Sequence, residues 1–132
     1  MKTLARQALD KSCKTKSGYH RLMSQSDAGM RIWNNFQRIC KTQSKKPYIG
    51  MNRSLITGLT HLARISPHNN PALKFEKLIR DGKLDVGFLR LFRIKGIKEK
   101  NARFILRDLV AVLGLEAEVA KGDFFFSLSM FV

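Results

Sequence analysis

Between Arg93 and Arg107 the sequence RIKGIKEKNARFILR places six cations around a single glycine. Lys95, Lys98 and Lys100 crowd Gly96 and Ile97, while Arg93, Arg103 and Arg107 stand within one to three helical turns. Residues of these types hold an anion. Ammonium and guanidinium groups make charge-assisted hydrogen bonds to oxyanions, and a glycine lets the main chain approach a ligand closely and take torsions closed to other residues. A helix that begins just beyond such a glycine has unpaired first amides with partial positive charge, a ready seat for a phosphate oxygen. The amides from Gly96 to Lys98 are expected to form that seat. Residues 83–107 contain eight Lys or Arg and only two carboxylates, so little nearby repels an anion.

A second basic group lies in KTQSKKPYIG, where Lys45 and Lys46 precede Tyr48. Cations beside an aromatic ring can track a strand and stack on its bases. Tyr19 and Trp33 offer rings as well, but Trp33 repeats with Met30 and with Phe36 or Gln37 along one helical face, which assigns it to the core.

The remaining reactive residues are not arranged for other chemistry. His20, His61 and His68 share no metal-ligand spacing with one another or with Cys13 and Cys40. The sequence carries no phosphate loop, dinucleotide fingerprint or nucleophile elbow, so no metal or cofactor is expected. Two thiols without such spacing read as free cysteines in a reducing compartment, cytoplasmic or nucleoid/nuclear.

The elements that position these residues follow from the whole composition. At 132 residues with 44% hydrophobic content, the chain is expected to fold as one domain around one core. Twenty-five Lys and Arg against ten Asp and Glu give +15, a self-repulsion that a polyanion relieves. Nucleic acid is the first candidate and an anionic membrane surface the second. No window supplies the ~20 apolar residues of a membrane span. The opening MKTLARQALDKSCK lacks the apolar run of a secretory signal. Its basic, amphipathic rhythm has something of a transit peptide, yet Asp10 and the LARQAL segment suit an ordinary helix. The apolar end FFFSLSMFV, Phe124 to Val132, reads as a strand or extended tail that docks on the body or mediates contact with a second copy or another protein.

Between these ends the periodicity is helical. SDAGMRIWNNFQRIC forms an amphipathic helix capped by Ser26 or Asp27, extending back as far as Tyr19. NRSLITGLTHLARI forms another, with Leu55, Leu59, Leu62 and Ala63 on one face and Asn52 or Ser54 as cap. SPHNNP stops it. Asn70 followed by Pro71 starts a helix that runs to Gly82. Asp85 caps a short one through VGFLRLFRI, and Glu99 to Leu113 is the next, ended by Gly114. The expected architecture is all-α: a compact bundle of about five to six short helices.

At the joint between the last two helices, Leu91, Ile94, Gly96, Ile97, Ala102 and Ile105 stand at the spacing L-x-x-I-x-G-I-x-x-x-x-A-x-x-I. This pattern resembles the helix-hairpin-helix motif of repair glycosylases, polymerases, nucleases, ligases and a ribosomal protein, over Phe88 to Leu106. The resemblance implies an element at 85–113 that grips the nucleic-acid backbone without reading base sequence, on DNA in preference to RNA. Lys98 stands where the family usually has a second glycine, and Lys95 where it often has proline. A lysine at 98 is expected to be strained by roughly 1 kcal/mol or more if that position is left-handed.

Two other readings belong beside this one. In glycosylases that share the hairpin, a catalytic lysine stands in or just after it; Lys100 matches that place, with Glu118 or Asp123 in the region of the companion acid. A helical interaction module of the sterile-alpha-motif kind shares the Gly-Ile before its last helix. A bland turn with solvated lysines is the ordinary alternative to all of these.

Overall fold

A computed structural model describes residues 3–120 of the chain. The expected apolar tail at Phe124 to Val132, and Asp123, lie outside these residues. The described residues form eight α-helices and a short 3-10 turn, with no strand among them. The fold is all-α, with more and shorter helices than the periodicity predicts. None of these helices is long and apolar enough to cross a membrane. The chain divides into two compact units, Met1–Asn69 and Asn70–Val132.

The first unit holds α1 (Leu4–Ser12), α2 (Lys16–Met23), α3 (Ala28–Thr42), α4 (Ile49–Arg64) and the 3-10 turn Pro67–Asn69. Thr3 and Thr15 cap α1 and α2 by accepting from the amides of Arg6 and Gly18. The single long helix expected from Tyr19 to Cys40 is broken into α2 and α3. Ser24, Gln25, Ser26 and Asp27 form the break: Ser24 Oγ donates to the Arg21 carbonyl at 2.6 Å, offering the backbone a local alternative to the helix ladder. The break lets Leu22 and Met23 enter the core from one direction and Ala28, Ile32, Trp33, Phe36 and Cys40 from another. Each large apolar side chain buried there contributes roughly 1.5–3 kcal/mol. Met30 is displaced to the surface, and Phe36 rather than Gln37 continues the buried stripe.

Helix α4 begins three residues before its expected cap. Asn52 sits inside its first turn, and its Oδ1 reaches back to accept from the Tyr48 amide at 2.8 Å. Leu62 and Ala63 face the core as expected, whereas Leu59 is 42% exposed.

The second unit holds α5 (Pro71–Arg80), α6 (Leu84–Phe92), α7 (Glu99–Leu113) and α8 (Glu116–Ala120). Asn70 caps α5 as expected, accepting from the Ala72 amide at 3.1 Å. Gly114 ends α7 in the left-handed conformation at φ 66°. Phe75, Ile79, Leu84, Phe88, Leu91, Leu106, Val110 and Leu115 form the buried interior of this unit. Helices α5, α6 and α7 meet where Gly87 faces Phe75 and Leu106. A side chain at 87 would lie 3.3 Å from the Phe75 ring, so glycine is what permits this close crossing.

Candidate functional site

The joint between α6 and α7 is a short bend, residues 93–98, and its apolar positions hold it to the second unit. Leu91 and Ala102 are buried on the two helices, and Ile97 plugs the bend from between them at 8% exposure. Ile105 departs from the expected pattern: it is 37% exposed, and Leu106 takes the inward place. Two tight turns close the bend, with the Ile94 amide donating to the Leu91 carbonyl at 3.1 Å and the Ile97 amide donating to the Ile94 carbonyl at 3.0 Å.

Those bonds change which amides are left unpaired. The Ile97 amide is spent inside the bend, so it cannot meet a ligand. Pairing along α7 begins with the Ala102 amide, which donates to the Lys98 carbonyl at 2.9 Å. The amides of Lys98 to Asn101 precede that first bond, and these are the ones a helix start leaves without an intrahelical partner. The amides left without an intrahelical partner therefore lie one step further along than expected, on the first turn of α7.

Gly96 carries the unusual torsion, φ 105°. Lys98 is extended, at φ −89° and ψ 168°, so no left-handed strain falls on it. Lys95, Lys98 and Lys100 are all exposed, as is Arg93 at the end of α6. The carboxylate among them is Glu99, in the first turn of α7, where the helix dipole favours it.

The two downstream arginines already have partners. Arg103 pairs with Glu99 one turn back, and its guanidinium lies 6.0 Å from the centre of the Phe88 ring. Arg107 sits 4.7 Å from the centre of the Phe104 ring, with Asp108 at 3.8 Å. Lys100 approaches the same Phe104 ring at 5.6 Å. A shallow cavity of about 280 Å³ opens there, lined by Glu99, Lys100, Arg103 and Phe104. Phe104 is the member that sequence reasoning missed. Its signal was available: an aromatic four residues after Lys100 and three before Arg107 shares a helical face with both.

For the glycosylase reading, Lys100 stands exposed on a helix surface rather than in the desolvated pocket that an amine nucleophile needs. Among the described residues no group of three or more His, Cys, Asp or Glu is placed to hold a metal ion.

Lys45, Lys46 and Tyr48 belong to the first unit, in the connection before α4. All three are exposed, Tyr48 at 79%. Trp33, by contrast, is 3% exposed and stacks on Phe36 with ring centres 5.7 Å apart, so it is a core residue. Tyr19 is also committed: its hydroxyl donates to the Asn69 carbonyl at 2.6 Å.

Comparison of the chain with protein-family models, with curated proteins and with solved structures finds no match.

Proposed function

We propose that the chain binds nucleic acid by its phosphate backbone, DNA in preference to RNA, with the α6–α7 bend as the principal grip and no reading of base sequence. The observation that carries this reading is the exposed bend at Gly96: Lys95, Lys98 and Lys100 stand in solvent around a glycine at φ 105° that leads straight into the unpaired first turn of α7. The net charge of +15 supplies long-range attraction for a polyanion. Lys45, Lys46 and Tyr48 offer the first unit's own contact with a strand. Free Cys13 and Cys40 suit a reducing compartment.

The test is a titration of duplex DNA, single-stranded DNA and structured RNA at several salt concentrations, with the wild-type chain and with Lys95, Lys98 and Lys100 all changed to Gln. Each lysine that neutralises a phosphate contributes about 0.9 to the logarithmic salt slope, so the triple variant is expected to lower that slope by up to about 3. The duplex is expected to bind tightest, and scrambling its sequence is expected to change little. Unchanged affinity in the triple variant overturns the reading. A wild-type complex indifferent to moderate salt overturns it too.

A further inference from the structure

We infer that the first unit carries a separate binding site for a phosphate monoester, in the cavity between α1, α2 and α3. This inference does not rest on the α6–α7 bend. The cavity measures about 290 Å³ and lies over Leu22 of α2; Lys11 and Ser12 of α1 and Arg31, Asn34, Asn35 and Arg38 of α3 form its rim. Three cations and three neutral hydrogen-bonding side chains line it, and no carboxylate does.

The polar groups are held in a fixed order. Ser12 Oγ donates to the Ala8 carbonyl at 2.8 Å, which leaves its lone pairs to accept from Asn35 Nδ2 at 2.7 Å. The amide of Asn35 is thereby oriented with its oxygen toward Arg38, whose Nη1 donates to it at 3.3 Å. A guanidinium that is positioned before the ligand arrives loses less freedom on binding it. Arg31 is tethered on its other flank, where Nε meets the Asp27 carboxylate at 3.0 Å. That carboxylate engages Nε, while the terminal nitrogens are the fork that meets an oxyanion.

Charge and size select the ligand class. Three lining cations match a phosphate monoester, with about −1.5 to −2 charges at neutral pH, better than a carboxylate or a phosphodiester with one. The volume sits at the lower edge of the ~300–1,000 Å³ of ordinary ligand sites. It therefore suits the phosphate and sugar of one nucleotide, with the rest of any longer strand outside. The distribution of charge agrees: the first unit has thirteen Lys or Arg against two acids, and the second has twelve against eight. The stronger positive field surrounds this cavity's unit.

A free nucleotide and a phosphorylated strand end present the same group. Calorimetric titration of the full chain with inorganic phosphate, a nucleoside 5′-monophosphate, dimethyl phosphate, and one short oligonucleotide with and without a 5′-phosphate distinguishes them. The monophosphate is expected to bind saturably, at least tenfold tighter than dimethyl phosphate, and more weakly at pH 5.5 than at pH 7.5 as the dianion is lost. Arg38→Gln and, separately, Lys11→Gln are expected to weaken it about tenfold. Both residues are exposed, and an unchanged melting temperature checks that each variant folds. A gain from the 5′-phosphate on the oligonucleotide assigns the site to strand ends; a gain with the free nucleotide alone assigns it to nucleotides. No saturable monoester binding, equal binding of the diester, or full affinity in both variants overturns the inference. Changing Lys95, Lys98 and Lys100 to Gln is expected to leave monoester affinity intact, so this site and the α6–α7 bend fail or survive separately.

Discussion

Gly96 and Lys98 stand two residues apart and divide between them the conformational and the electrostatic work of the bend. Because Gly96 sits at φ 105°, where a Cβ is strained, Gly96→Ala is expected to destabilise the second unit by about 1–3 kcal/mol, measured by denaturant unfolding. Lys98 is extended and exposed, so Lys98→Gly is expected to change stability by less than about 1 kcal/mol while lowering the salt slope of nucleic-acid binding by about 0.9. A large loss of stability at Lys98 would show that its backbone, and not its charge, is the part that matters. The identity and spacing of Lys95, Lys98 and Lys100 were open to reading from sequence, since exposure is what lysines at a glycine turn ordinarily have. The loss of the Ile97 amide to the turn, and the reach of Arg103 to the Phe88 ring on α6, were not. Both depend on how the chain folds back from α6 into α7, which packing sets rather than spacing.

At the scale of elements, local signals predict local outcomes. Asn70–Pro71 and Gly114 mark helix ends through the chemistry of one or two residues, and both mark them where the structure has them. The break between α2 and α3 answers to the core instead: Leu22 and Met23 before it and Ala28, Ile32, Trp33, Phe36 and Cys40 after it share one buried cluster. Two substitutions test this division. Asn70→Ala removes the bond to the Ala72 amide and is expected to cost about 1 kcal/mol with no effect on the α6–α7 crossing. Gly87→Val puts branched carbons against the Phe75 ring and Leu106, and is expected to cost about 1–3 kcal/mol by overpacking. Thermal melts that rank Asn70→Ala as the more damaging would contradict the close crossing.

Across the whole molecule the two units differ in what they titrate as well as in charge. All the cysteines and tyrosines lie in the first. Burial pushes the Cys13 thiol above its ordinary range, with the Asp10 carboxylate adding to the effect and Arg6 opposing it. Burial likewise raises Cys40 and Tyr19. Each of these groups is neutral when protonated, so a raised value in the folded state means that folding holds the proton more tightly than the unfolded chain does. Their contribution is complete below the unfolded values, about 8.5 for thiols and about 10 for phenols, and is lost as pH climbs through the folded ones. The fluorescence of Trp33 is therefore expected to report unfolding of the first unit at lower denaturant at pH 10 than at pH 7.5. A midpoint that does not move between those pH values would contradict the burial of these groups.

The clasp on Asn69 has a mechanical corollary. Its carbonyl takes the Tyr19 hydroxyl, its side-chain oxygen meets His20 Nδ1 at 2.9 Å, and His68 and Asn69 both hold positive φ. The last residue of the first unit is thus pinned to that unit's own second helix. Every atom of that clasp belongs to residues 19–69, so a polypeptide ending at position 69 contains all of it.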